Sequence, residues 1–150
     1  MEQSFNFAFG EILISDEPKL LDINAVHLFL TNSYWAENIP IGLVEKSIRH
    51  SLSFGVYLGK KQIGFARVIT DQTTFAYLAD VFILEEYRGK GISKKLMEFI
   101  HAHPDLQGLR RWMLGTRDAH NLYLQFGWTA ITQPERFMQR HNPGIYKKQD

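Results

Sequence analysis

The chain has 150 residues, 45% of them hydrophobic, which suits a single unit with a sizeable buried core. A formal charge of +1 supplies no net field for nucleic acid or an anionic membrane, so any anion must be held by a local arrangement. The absence of cysteine excludes disulfides, thiolate nucleophiles and cysteine-ligated zinc, and leaves only His and carboxylates as metal ligands.

The opening MEQSFNFAFGEI has neither a basic start nor an uninterrupted apolar run, so it does not read as a signal peptide. Charged residues break every stretch long enough to span a bilayer, and a cytoplasmic location is expected. No repeat, low-complexity tract or linker divides the chain, so residues 1–150 are expected to form one domain, with a core from about 11 to 131 and peripheral termini. Glu11–Ser15 is the first expected strand. Asp22 or Asn24 can cap a helix whose apolar stripe is Ile23, Val26, Leu28, Phe29 and Leu30, ending near Tyr34–Trp35. Pro40 opens a second helix with Leu43, Val44 and Ile48 on one side. Phe54–Leu58, Gln62–Thr70 and Thr74–Leu84, separated by polar turns, form an antiparallel meander.

Ser93–His103 repeats Leu96, Met97, Phe99 and Ile100 at helical spacing until Pro104 stops it. It serves as a crossover to a short strand, Arg111–Leu114, lying between Gly108 and Gly115. A last helix spans Asp118–Phe126, closed by Gly127, and Trp128–Ile131 is expected to add a strand. The pair His101 and His103 faces different sides of its helix, so no metal site is expected. The tail after Met138 is polar and basic, is expected to fray or lie along the surface, and carries no recognisable chemistry.

The segment RGKGIS, Arg88–Ser93, lies after a strand and opens a helix, so backbone N–H groups and the helix dipole converge on one point. Gly89 and Gly91 allow positive φ and close approach of an anion, and Arg88 and Lys90 add local charge. Neither a Walker loop nor a GxGxxG fingerprint is present. The same six residues also fit a plain turn and helix start, or an unrelated phosphate-binding α+β domain.

This segment resembles the signature of the GNAT superfamily of N-acetyltransferases: Gln or Arg, two residues, Gly, one residue, then Gly or Ala. Here Arg88, Gly89, Lys90, Gly91, Ile92 and Ser93 fill it, Ser93 departing by one hydroxyl. VFILEEYRGKG is similar to the family's strand running into that loop, with Glu85 where many members have Pro, and AHNLYLQFGW to its last helix. The resemblance runs from Glu11 to about Ile131. It implies an α+β fold in α/β/α layers, a mixed and mostly antiparallel sheet with helices on both faces.

It implies acetyl-coenzyme A as cosubstrate. Arg88–Ser93 would hold the pyrophosphate, and the main chain of Val81, Phe82 and Ile83 would pair with the pantetheine arm. Thr116 stands nearest to the position of a cofactor-contacting Asn found in many members. Tyr123 becomes the general acid for the departing thiolate, its competing reading being core packing with Leu122 and Phe126. Asp80 is the first choice of base for the amine, its competing reading an Arg-paired carboxylate; Glu85 and His120 are further candidates.

The acceptor pocket is expected between the N-terminal helices and the C-terminal strands. Tyr34, Trp35 and Ile39 would line it or seal the core, and Arg67 and Arg117 would meet a substrate carboxylate or lie solvated. The expected reaction is acetyl transfer to a primary amine of a small molecule, with protein amines a lesser choice, by direct attack in a ternary complex. A non-catalytic acyl-coenzyme A sensor is the alternative. Neither nucleic acid nor membrane is an expected partner, and the protein is monomer or homodimer, since an edge strand near the C-terminus can pair with a second subunit.

Overall fold

The structure is a computed structural model that describes residues 4–147. Six strands form one sheet in chain order: β1 (Asn6–Phe9), β2 (Ile12–Ser15), β3 (Leu52–Leu58), β4 (Lys61–Thr70), β5 (Phe75–Ile83) and β6 (Arg111–Leu114). The first five pair antiparallel, while β6 joins β5 in parallel. Parallel pairing needs a crossover, and α3 (Ile92–His101) supplies it. Two helices, α1 (Ile23–Thr31) and α2 (Ile41–Arg49), separate β2 from β3, and the short α4 (His120–Leu124) follows β6.

Each sheet face has its own core. On one, Ile92, Leu96, Met97, Phe99 and Ile100 of α3 meet Phe54, Val56, Val68 and Leu78; on the other, Val26 and Leu30 of α1 and Val44 of α2 meet Phe65 and Phe82. Fully burying such side chains stabilises by roughly 1.5–3 kcal/mol each before ordering entropy is subtracted, so the two helix layers hold the sheet from both sides.

Alternation along β5 breaks once. Phe65 faces Phe82 and Arg67 faces Ala79, so one residue of β4, Ala66, opposes two of β5, Asp80 and Val81. This is a β-bulge, with Asp80 at φ +56°. Ala76 and Leu78 point to the α3 side before the bulge, and Ile83 points there after it. Without the extra residue the far half of β5 would present the wrong face.

Several boundaries differ from the sequence reading. Asp22, rather than Asn24, caps α1, its Oδ1 accepting from the Ala25 N–H at 3.1 Å. The helix stops at Thr31, and Leu28 of the expected stripe is 66% exposed, because Val26 and Leu30 carry the contact instead. Asn6–Phe9, read only as a peripheral terminus, forms a hairpin with β2. Phe5 stacks on Phe99 at 4.6 Å, and Asp16 accepts from the Phe5 N–H at 2.7 Å and pairs with His103 Nε2 at 2.7 Å. The last helix is shorter than Asp118–Phe126, and Trp128–Ile131 forms no strand. Trp128 turns inward: its Nε1–H donates to His101 Nε2 at 3.0 Å, and its ring sits 5.8 Å from that of Trp112. The segment is thereby drawn onto the aromatic cluster, and β6 remains the sheet edge.

Candidate active site

A short helical turn, Glu85–Tyr87, leads from β5 into the glycine loop. Gly89 and Gly91 both take positive φ, +77° and +80°, and a Cβ added at either would meet nothing within 4 Å. Glycine is therefore required by backbone conformation, with open space above the loop. Gly91 is the N-cap of α3 and no side chain caps that end, so the first N–H groups of the helix have no side-chain acceptor. Arg88 Nε donates to the Ile83 carbonyl at 2.8 Å, which pins the guanidinium at the end of β5. Lys90 and, from β4, Lys61 lie 5.7 and 5.3 Å from the centre of the Tyr87 ring. A cavity of about 170 Å³ opens here, bounded by Arg88, Gly89, Gly91, Ile92 and Ser93. Helix N–H groups without a side-chain cap, the helix dipole, and Arg88 and Lys94 in the cavity wall suit this loop to an anion of phosphate type.

The second part of the site follows from unequal strand lengths. β6 stops at Leu114, opposite Leu78, while β5 runs on to Ile83. From Ala79 onward the edge of β5 that faced β6 has no strand partner. Phe82 stacks on Phe29 at 3.9 Å and Ile83 is buried, so the main chain is what this stretch offers a ligand.

A larger cleft of about 830 Å³ begins beside that open edge, and Asp80, Val81, Thr116 and Tyr123 contribute to its wall. Its floor is the sheet face carrying Arg67, Ile69, Tyr77 and Ala79, and the α1–α2 side closes it with Tyr34 and Trp35. Asp80 is shared between two donors: Trp35 Nε1–H to Oδ1 at 2.8 Å and Arg67 Nε–H to Oδ2 at 2.9 Å. Arg67 also donates to Ser51 Oγ at 3.0 Å. Tyr34 meets Trp35 edge to face at 5.0 Å, accepts from the Arg117 backbone N–H at 3.2 Å, and lies under the Arg117 guanidinium at 4.0 Å.

Tyr123 is 8% exposed, and burial, with the neighbouring Tyr34 as a lesser cause, pushes its phenol up to about 12. The group thus stays protonated throughout the neutral range.

The family description "Acetyltransferase (GNAT) domain" matches residues 49–130, more than half of the chain. The chain belongs to the GNAT family. A crystallised GNAT-family protein of Xanthomonas campestris pv. campestris is 48% identical, with a TM-score of 0.90 over 94% of this chain and 100% of that one. A provisionally named acetyltransferase of Gibberella zeae is 32% identical over 141 residues, 79% of this chain and 78% of the relative. An uncharacterised N-acetyltransferase of Prochlorococcus marinus is 28% identical over 138 residues, 88% of this chain and 73% of that one. The mixed six-stranded sheet with its flanking helices is the GNAT fold, and acetyl-coenzyme A is the cosubstrate that membership of this acetyltransferase family implies.

Of the residues singled out in the sequence, Arg88, Gly89, Gly91, Ile92 and Ser93 line the small cavity, and Tyr34, Trp35, Asp80, Val81, Thr116 and Tyr123 the large one. Thr116 Oγ1 accepts from the Ala119 N–H at 3.1 Å, so it also shapes the entry to α4. His120 is exposed at the start of α4 and Glu85 is exposed in the turn after β5; neither lines the cleft. Sequence reasoning missed Lys61, Tyr77 and Tyr146. Tyr77 points into the cleft because its strand phase puts it beside Ala79. Tyr146 belongs to the tail, which turns at Asn142–Ile145 and brings this ring to the cleft. Among the described residues no group of three or more His, Asp or Glu is placed to hold a metal, and no helix is long and apolar enough to cross a membrane.

Proposed function

We propose that the protein transfers the acetyl group of acetyl-coenzyme A to the nitrogen of a small primary amine, by direct attack within one cleft. The observation that carries this is the meeting, in that cleft, of the unpartnered edge of β5 at Val81, the carboxylate of Asp80 and the buried phenol of Tyr123. The cosubstrate supplies an acetyl thioester. The glycine loop holds its diphosphate, and the main chain beyond Ala79 pairs with its amide arm as an added strand would.

The amine nitrogen forms a bond to the carbonyl carbon, the carbon–sulfur bond breaks, and the amine loses one proton. Asp80 takes that proton, directly or through water, on a lone pair used by neither Trp35 nor Arg67. Tyr123 faces the departing sulfur. Complete proton transfer from a phenol near 12 to a thiolate whose acid lies near about 8.5 is uphill by roughly 5 kcal/mol, so Tyr123 stabilises the sulfur by a donated hydrogen bond.

The test is thiol release from acetyl-coenzyme A across a panel of primary amines, with the N-acetylated product identified by mass spectrometry. Tyr123→Phe should lower kcat by about ten- to a hundredfold and leave the KM for acetyl-coenzyme A within about twofold. Acetyl-coenzyme A binding without turnover of any amine would overturn the reading in favour of a non-catalytic acyl-coenzyme A module. Undiminished turnover by Tyr123→Phe at every pH would remove Tyr123 from the reaction.

A further inference from the structure

We infer that the acceptor amine carries an anionic group, in the simplest case a carboxylate, separated from its nitrogen by a short apolar or aromatic spacer, and that Arg117 receives that group. The inference rests on the acetyl-transfer reading above and names the class of acceptor within it.

Two guanidiniums line the cleft, and their surroundings differ. Arg67 is committed: its Nε is paired with Asp80 at 2.9 Å, another nitrogen bonds Ser51, and its side chain is only 15% exposed. The Arg117 guanidinium carbon lies 4.0 Å from the centre of the Tyr34 ring, and among the described residues no carboxylate lies within ion-pair distance of it. A cation–π contact uses none of the fork of guanidinium N–H donors, which can take a planar anion in two-point fashion.

The balance of charge agrees with this. Once Arg67 and Asp80 neutralise each other, the cations left in the cleft wall among the described residues are Arg117 and, from α2, Lys46, with His50 one turn further on. Among the described residues the one further carboxylate there is Asp118, which pairs with neither. Such a wall disfavours polyamines and favours an acceptor with a negative end.

The spacer follows from the layout. Between Arg117 and Asp80 lie two aromatic rings in edge contact, Tyr34 and then Trp35, the latter bonded to Asp80. A nitrogen that delivers its proton at Asp80 and an anion that meets Arg117 are thus kept apart, and what joins them crosses a surface of aromatic rings. The rings of Tyr77 and Tyr146 also face this cleft.

The matched probes are 4-(aminomethyl)benzoate and 4-methylbenzylamine, equal in shape and different in charge. The wild type should show kcat/KM about ten- to a hundredfold higher for the carboxylate, the range of one charge-assisted bidentate contact. In Arg117→Met the ratio of the two values should fall to about one, and Arg117→Lys should give an intermediate ratio. Equal rates in the wild type, or a ratio that survives Arg117→Met, would overturn the inference. Binding of both probes to the coenzyme A-loaded protein is measured in parallel by calorimetry, with the same ratios expected. If no amine is acetylated, the transfer reading fails by itself, and the binding ratio still decides whether Arg117 forms an anion subsite.

Discussion

The ion pair of Asp80 and the role proposed for it as proton acceptor can be separated by a double-mutant cycle with Arg67. The choice of substitution is dictated by the backbone: at φ +56° a residue other than Gly, Asn or Asp adds strain of roughly 1–2 kcal/mol, so Asp80→Asn removes the charge without adding that strain. The ion pair is 2.9 Å long with side chains 15% and 11% exposed, close to fully shielded yet beside a wet cleft. Loss of one partner of a buried pair costs about 3–5 kcal/mol, and the neighbouring solvent brings the expected cost of Arg67→Met down to about 2–3 kcal/mol. For Asp80→Asn the cost is similar, about 2–3 kcal/mol, because Trp35 and Arg67 donate to different carboxylate oxygens and the amide keeps only one of the two acceptors. The coupling energy between the two sites should then be about 1.5–2 kcal/mol, read from urea unfolding of the two single variants, the double variant and the wild type. A coupling below about 0.5 kcal/mol would refute the view that this pair braces the bulge and the cleft wall. The same four proteins report on catalysis. If Asp80 receives the amine proton, Asp80→Asn loses kcat far beyond the loss in Arg67→Met, which keeps the carboxylate.

Two other expectations follow from particular residues. Gly91→Val places a β-branched residue at φ +80° in the N-cap of α3, with strain of at least about 1–2 kcal/mol; calorimetry should show coenzyme A binding weakened about tenfold or more, and an unchanged Kd would refute the anion cradle. Burial lowers His101 below its ordinary 6.5, so the unfolded chain binds that proton more readily; its contribution to stability is complete above about pH 6.5 and is lost as the pH falls through the folded-state value. Urea midpoints measured from pH 7.5 to 5.5 should therefore fall less steeply for His101→Gln than for the wild type, and parallel slopes would sink the assignment.

What the sequence revealed divides along physical lines. The glycine loop was legible because positive φ, local charge and a helix start are all local properties of six residues. The meander was legible because β-branched and aromatic runs alternate between polar turns. Tyr123 came from a resemblance, since one phenol on a short helix has no local signal. The hairpin of Asn6–Phe9 was hidden because its value lies in Phe5 meeting Phe99 and in Asp16 meeting His103, contacts between distant parts of the chain. Trp128–Ile131 reads as a strand by propensity, and the hydrogen bond from Trp128 to His101 overrides it. The pairing of Asp80 with Arg67 and the place of Tyr146 in the cleft wall depend on tertiary geometry alone.

The bulge at Asp80 divides one strand into two stretches that can diverge independently. Substitutions at Tyr77 or Ala79 redraw the cleft wall without disturbing the side chains of Phe82 and Ile83, which anchor the approach to the glycine loop. Insertion or deletion of a single residue between them would be another matter, because it would reverse which face each stretch presents and send cleft residues into the core. Drift in acceptor preference along this strand is thus expected to proceed by exchange of side chains at constant strand length.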